Sequence, residues 1–492
     1  MSVWRVKPVS AFEADMKKSD LKRVLTKWGL TSLGIGAIIG GGIFTLTGIA
    51  AHDYAGPALA LSFVIAGIGC LFASLCYAEF ASVLPVEGSA YAYAYGTVGE
   101  LFAWFIGWNL ILEYMMGATT VAVAWSGYFV KLLHLFRVDF PIWLCNDLAT
   151  ATTKYAALGM PAPNFAFNLP ALLITWLVTY ILVKGIKEAA NTNNIIVIVK
   201  IAVVLFVIIV GAFYIKTENW VPFIPDEIPA LDELGNATGK MNFGFGGVLT
   251  AATIVFFAYI GFDAVSTQAG EAINPKKDVP FAIIASLIIC TILYILVSLV
   301  LTGMVRYDQL DKAAPVASAF SGIGINWAVF IITIAATAGL TSVMLVMMLG
   351  QTRIFLGMAK DGLLPQFFRT LHPKFKTPHR STILVGAIIS IVAALTPIDN
   401  LSEMCSMGTL LAFAMVCVAV MILRYKKPEL ERPYRTPAVY LIGTLGVAFN
   451  IFLMCFVRKD TWIAFLIWGS IGIAVYFLYS KRNSNLNKET EV

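Results

Sequence analysis

Gly34-Ile35-Gly36-Ala37-Ile38-Ile39-Gly40-Gly41-Gly42-Ile43-Phe44 lies inside the first long apolar run of the chain, and its glycines work against an unbroken helix. Each glycine in a helix interior costs roughly 1 kcal/mol relative to alanine. Close helix packing through small residues is satisfied by Gly36 and Gly40 and does not need the run Gly40-Gly41-Gly42. An unwound segment does need it, because glycine lets backbone N–H groups turn toward a ligand. A second interruption is Phe256-Phe257-Ala258-Tyr259-Ile260-Gly261-Phe262-Asp263-Ala264-Val265-Ser266-Thr267, which sets Gly261 and Asp263 inside another apolar run. A charge at that depth marks a functional candidate. It also suits the cap of a half-helix, and a broken helix needs such a cap.

Around these two stretches the chain reads as a membrane protein. Of its 492 residues 59% are hydrophobic and 13% charged, and the mean hydropathy is +0.80. A soluble domain carries roughly 25% charged residues. The net charge of +6 is small for the length, and no basic block provides a nucleic-acid face. Seven cysteines, mostly in apolar runs, show no metal-ligand spacing and read as small hydrophobes. Four histidines, His52, His134, His372 and His379, lie far apart in loops or at helix ends, so no histidine metal site is expected. Nothing in the sequence requires a cofactor.

A bilayer crossing takes about 20 apolar residues. The runs predict twelve helices at 28–51, 57–83, 99–132, 168–185, 190–215, 247–270, 280–304, 326–358, 382–397, 402–424, 437–457 and 462–480. The first follows a basic N-terminus without a small-residue cleavage site, so a signal anchor is expected rather than a removed signal peptide. Arg5, Lys7, Lys17, Lys18, Lys22, Arg23 and Lys27 precede the first helix. Arg353, Lys360, Arg369, Lys374, Lys376 and Arg380 follow the eighth, and Arg424, Lys426, Lys427, Arg432 and Arg435 the tenth. With twelve crossings all of these share one side, which the positive-inside rule makes cytoplasmic, with both termini. The 216–246 loop, with Glu218, Asp226, Glu227, Asp232 and Glu233, is then extracellular. Ala14–Lys27 sets Met16, Leu21, Val24 and Leu25 among lysines, the pattern of a short interfacial helix. The loop from Arg137 to Asn168, with several prolines, is expected outside.

The two breaks fall in the first and sixth helices. Breaks five helices apart are the pattern of two inverted five-helix repeats with a binding site between them. The chain then divides into 1–27 (basic N-terminus), 28–215 (first repeat), 216–246 (extracellular loop), 247–424 (second repeat), 425–480 (two further helices) and 481–492 (cytoplasmic tail). Freed N–H groups at a half-helix end hold a carboxylate, and freed carbonyls hold an ammonium. A zwitterionic amino acid presents both groups, although sugars and nucleobases also use such sites.

Several further stretches accompany the breaks: Tyr77-Ala78-Glu79-Phe80, Pro85-Val86-Glu87-Gly88-Ser89-Ala90-Tyr91 and Gly107-Trp108-Asn109-Leu110-Ile111-Leu112-Glu113-Tyr114. Asn274-Pro275-Lys276-Lys277-Asp278-Val279-Pro280 follows the sixth helix, and Arg353-Ile354-Phe355 leads through Asp361-Gly362-Leu363-Leu364-Pro365 to His372-Pro373. In order and over nearly the whole chain, these resemble the amino acid–polyamine–organocation superfamily, most of all the bacterial branch of the cationic amino acid transporter family. The resemblance implies an all-α membrane protein of twelve helices: the inverted repeats plus two C-terminal helices. It implies a substrate carboxylate on the N–H groups of Gly41, Gly42 and Ile43, and an ammonium on the carbonyls of Ile38, Phe257, Ala258 and Ile260. Phe257 would be the outer gate, and Asp263 would steady the broken sixth helix and border the side-chain pocket.

Lys200 sits in Ile195-Ile196-Val197-Ile198-Val199-Lys200-Ile201-Ala202-Val203-Val204, with apolar residues for at least a turn on either side. The alternatives are a snorkelling lysine and a buried one; exposed charge in lipid is so unfavourable that burial is expected. In proton-coupled relatives a lysine here stands where sodium sits in sodium-coupled ones. The resemblance puts its ammonium near carbonyls of Gly36 and Ile39, with Thr341 and Ser342 nearby. Burial favours the neutral amine, so such a lysine can give up its proton when the site opens. Glu113 is placed beside the substrate side chain, or else is a hydrogen-bonded, protonated structural carboxyl. Many relatives have Asp where this chain has Asn109, which weakens a case for cationic substrates. Aligned on Arg353, Met347 stands where carriers of large cationic substrates have a small residue. Methionine there favours short substrates, unless it is plain packing.

The function expected is proton-coupled symport of L-amino acids, small and neutral ones favoured, by alternating access in the plasma (inner) membrane. The alternatives are a cationic amino acid or polyamine carrier or exchanger, which Glu113 and Asp263 favour, and a nutrient sensor built on the same fold, against which stands the tail of about twelve residues. An enzyme is not expected, since neither H-E-x-x-H nor a nucleophile elbow is present. The partners expected are the amino acid, the proton and the lipid bilayer, with no nucleic acid; a small helical membrane subunit is compatible with the sequence.

Overall fold

The computed structural model describes residues 5–8, 25–83, 89–184, 189–231, 237–267, 269, 272–375 and 377–488. The long helices are α1 (Lys27–Ile38), α2 (Leu59–Val83), α3 (Glu100–Leu135), α4 (Leu169–Lys184), α5 (Ala189–Ala212) and α6 (Gly244–Val255). They continue as α7 (Pro275–Met304), α8 (Asn326–Lys360), α9 (His379–Leu395), α10 (Ile398–Lys426), α11 (Val439–Met454) and α12 (Lys459–Val475). Shorter pieces are named by their residues.

Apolar sequence dictates these helices, because a chain in lipid must satisfy its backbone N–H and C=O groups within each segment. Among the described residues, seven helical stretches are long and apolar enough to cross a membrane, and four shorter apolar helices accompany them. The chain is therefore a multi-pass membrane protein. The first of the seven, Lys27–Val83, turns sharply at Gly56, φ 58°, before Pro57. Helix ends lie near those expected: α4 and α9, expected at 168–185 and 382–397, run Leu169–Lys184 and His379–Leu395.

Three segments between or after the long helices have structure of their own. The 137–168 loop contains the helix Leu148–Ala157, started by Asp147, whose side chain accepts from the Thr150 N–H at 3.0 Å and its hydroxyl at 2.6 Å. The 216–246 loop folds into an antiparallel ribbon, Ile228–Leu231 against Ala237–Asn242, so the described chain is not wholly helical. The 481–492 tail is helical over Lys481–Asn483 and Asn485–Lys488 and packs back on the molecule. Asn485 N–H donates to the Asp361 carbonyl, and the Ser484 hydroxyl to buried Glu100. Residues 14–24 of the expected interfacial helix, and 85–88 of one motif, lie outside the described residues.

Helix pairs set the core. α2 packs along α7, α3 along α8, α4 along α9, and α10 lies against both α3 and α11. One end of α2 is fastened by charge. Glu79, fully buried, accepts from Arg424 Nε and Nη2, both at 2.7 Å, and from the Thr436 N–H at 2.8 Å, while Arg432 Nε lies 3.3 Å away. A paired Arg–carboxylate fork fixes geometry as well as charge. Removing one member strands its partners in low dielectric, at a cost of about 3–5 kcal/mol. Glu79→Ala is therefore expected to lower the thermal unfolding midpoint of the purified chain steeply. An unchanged midpoint would mean that the cluster is solvated and contributes little.

Candidate functional site

Both interruptions read from the sequence are breaks in the structure. α1 stops at Ile38, and Ile39 is extended (φ −70°, ψ 103°). Gly40 and Gly41 follow before the chain rewinds in a wide turn over Gly42–Leu46 and a short helix, Thr47–Ala50. α6 stops at Val255 and tightens over Phe256–Tyr259. Ile260 is then extended (ψ 133°) and Gly261 has φ +119° before the helix Ala264–Thr267 begins.

The breaks touch each other, and glycines make this possible. A Cβ on Gly42 would lie 2.3 Å from Cα and Cβ of Ala258. At Gly261 a side chain is excluded twice over, by the positive φ and by the carbonyl of Ala37, which a Cβ would meet at 2.9 Å. Tyr294 of α7 joins the two breaks: its hydroxyl is 2.8 Å from the Ile38 carbonyl oxygen and 3.0 Å from that of Ala258. The hydroxyl has a single proton to donate, so it is shared between the two carbonyls. The Phe257 carbonyl accepts the Ile260 N–H at 3.2 Å. Ile38, Gly41, Gly42, Ile43, Phe257, Ala258 and Ile260 thus line one buried junction, with Phe257 Cε1 3.8 Å from where a Gly41 Cβ would be.

Lys200 is buried on α5, and its ammonium donates to the carbonyls of Gly36 at 2.8 Å and Ile39 at 3.2 Å. Both carbonyls lie at or beside the end of α1. The Thr341 hydroxyl accepts from Trp125 Nε1 at 2.9 Å and donates to the Thr337 carbonyl. Ser342 is buried on the same helix. The lysine stem runs against Gly339, where a Cβ would meet its Cε at 2.9 Å.

Glu113, Asp263 and Met347 are all buried. Asp263 Oδ2 accepts from the Tyr114 hydroxyl at 3.1 Å. Glu113 lies near both the Asp263 carboxyl and the Thr409 hydroxyl. Met347 Sδ is 3.5 Å from the position a Gly117 Cβ would take.

Tyr294 and Gly339 escape the sequence reading. A tyrosine amid Thr291-Ile292-Leu293-Tyr294-Ile295-Leu296 looks like any core aromatic, so no signal singles it out. Gly339 carried one, since an isolated glycine in a helix marks close approach.

Two broken helices meeting in the interior of a multi-pass membrane protein define the class: a membrane carrier for a small solute. The family model described as amino acid permease matches residues 25–478. The chain is 46% identical over 490 residues to the branched-chain amino acid permease BcaP of Bacillus subtilis (strain 168), covering 99% of each. It is 43% identical to the methylthioribose transporter of the same organism, covering 99% of this chain and 100% of that one. It is also 38% identical to the vacuolar cationic amino acid transporter 4 of Arabidopsis thaliana, covering 83% of this chain and 64% of that one. The chain belongs to the amino acid permease family of the amino acid–polyamine–organocation superfamily, and it is a transporter rather than an enzyme.

Proposed function

We propose that the chain is a proton-coupled symporter of L-amino acids, with small and medium neutral ones favoured. It works by alternating access in the plasma membrane, with both termini cytoplasmic. The observation that carries this reading is the Lys200 ammonium on the Gly36 and Ile39 carbonyls, where a coupling cation would otherwise bind. The architecture proposed is twelve crossings in two inverted five-helix repeats plus α11 and α12. The pairing of α2 with α7, α3 with α8 and α4 with α9, each five helices apart, supports it.

The substrate carboxylate is held by the N–H groups of Gly41, Gly42 and Ile43. Its ammonium lies on the carbonyls of Ile38, Phe257, Ala258 and Ile260, with Phe257 as outer gate. Asp263 steadies the rewound half of the sixth helix, and Glu113 and Met347 bound the side-chain pocket. The neutral preference is supported by Met347, by Asn109 and by the branched-chain relative. A cationic amino acid is the second reading, favoured by the plant relative and by the two buried carboxyls of Glu113 and Asp263.

Uptake of labelled L-alanine, L-threonine, L-valine and L-arginine into proteoliposomes, with and without an inward proton gradient, tests this. Gradient-dependent accumulation of a neutral amino acid is expected. Uptake that ignores the gradient but needs internal amino acid would make the protein an exchanger. Met347→Gly is expected to shift the ratio of Vmax/KM for L-arginine over L-alanine about tenfold or more toward L-arginine, the usual worth of a few methylenes in a pocket. An unchanged ratio would leave Met347 as packing alone.

A further inference from the structure

The outer face of α7 carries a stripe of exposed apolar residues, Phe281, Ile288, Ile292 and Leu296, with partly exposed Ile284 between them. At 1.5 Å per residue the stripe is about 22 Å long, the scale of a lipid acyl chain. Its N-terminal end opens into a groove of about 400 Å³, walled by α7 on one side and by Pro433 and Tyr434 on the other. Lys276 and Lys277 stand at its mouth, both exposed. Lys27 adds a third cation, its Nζ 5.3 Å from the centre of the Phe281 ring, and Trp28 meets that ring edge-on at 5.4 Å. Two carboxylates lie close by. Glu431 is 3.9 Å from Lys276 and largely exposed, and Asp278 is turned back to the Asn274 N–H. The cations exceed them.

We propose that this groove binds one anionic phospholipid, such as phosphatidylglycerol, with an acyl chain along α7 and the headgroup phosphate against Lys276 and Lys277. Aromatic residues at headgroup depth and lysines beside an apolar slot are the chemistry of such a lipid. A soluble phosphate has no tail to fill the slot, and a zwitterionic lipid gains less from the cations. The site lies where it can act on the breaks. α7 carries Tyr294 on its buried side, and the Ile273 N–H, just before α7, donates to the Leu25 carbonyl just before α1. A headgroup here braces the joint on which α1 turns. This inference concerns lipid binding and stands whichever amino acid is carried.

The test is native mass spectrometry of the full chain in detergent, titrated with dioleoyl phosphatidylglycerol or dioleoyl phosphatidylcholine. One phosphatidylglycerol is expected to bind at least about fivefold more tightly than phosphatidylcholine, the effect of roughly one lysine on an anionic surface. Lys276→Gln with Lys277→Gln removes the preference, Lys276→Arg with Lys277→Arg keeps it, and Ile284→Trp, which fills the slot, weakens both lipids. Lys374→Gln with Lys426→Gln removes the same charge from exposed lysines outside the groove and leaves the preference intact. Equal loss with either glutamine pair would reduce the effect to general charge attraction, and equal binding of the two lipids would leave a slot for tails only. Either result overturns the proposal.

Discussion

Lys200→Ala is expected to collapse gradient-driven accumulation of the amino acid to equilibration. One pH unit across the membrane is worth about 1.4 kcal/mol per proton, or about tenfold accumulation for one-to-one symport. A carrier draws on that gradient only if proton binding and substrate binding bias the same conformational equilibrium. Lys200 is the group proposed to do so: its ammonium spans the Gly36 and Ile39 carbonyls at the end of α1, and the adjoining Gly40–Ile43 segment is where the substrate carboxylate is proposed to bind. In the proposed cycle the protonated amine holds the end of α1 against α5 through charge-assisted hydrogen bonds. The neutral amine can still donate two N–H groups to these carbonyls, but without the charge the hold weakens and α1 is freer to move. Alanine removes the amine altogether, so uptake of labelled L-alanine is expected to ignore the gradient while exchange across the membrane persists at reduced rate. Retained tenfold accumulation in Lys200→Ala would place the coupling elsewhere. The variant also empties the space beside Gly339, so its unfolding midpoint must be measured alongside to separate lost coupling from lost fold.

Helices and breaks were legible because lipid imposes strong rules. Length and apolarity give a crossing, and a run such as Gly40-Gly41-Gly42 contradicts a helix so plainly that its place is marked in the sequence. Lys200 was legible for the same reason, as a charge too expensive to leave in lipid. What stayed hidden depends on which side chain reaches which backbone atom across helices. Tyr294 reaches carbonyls 256 and 36 positions away in the chain, and nothing in its neighbours distinguishes it from a tyrosine that merely packs. Thr341 is similar: that its hydroxyl donates within its own helix and accepts from Trp125 could not be read from the sequence. The helix in the 137–168 segment was concealed by its flanking prolines, although the Asp147 cap was there to read.

Gly42→Ala is expected to do more damage than any other single methyl added to the glycine run, and the contrast with Gly41 isolates the cause. At Gly41 a Cβ would meet Ala124, Leu340 and Phe257 side-chain carbons at 3.5–3.8 Å, which is ordinary contact. At Gly42 it would fall 2.3 Å from the Cα of Ala258 and 3.0 Å from its amide nitrogen. Side-chain ends yield to such pressure, but here the obstacle is the backbone of the other break. Relief requires the two broken segments to separate, and separation pulls the Ile38 and Ala258 carbonyls away from the single Tyr294 hydroxyl that joins them. Overpacking alone costs about 1–3 kcal/mol, and the strained hydrogen bonds add to it. The purified Gly42→Ala chain is therefore expected to unfold at a markedly lower temperature and to show no measurable uptake. Gly41→Ala, by contrast, is expected to keep its fold and show a raised KM, because its methyl would project beside Phe257 into the space proposed for the carboxylate. Equal stability and uptake in the two variants would mean that the breaks do not touch at Gly42 in the working protein.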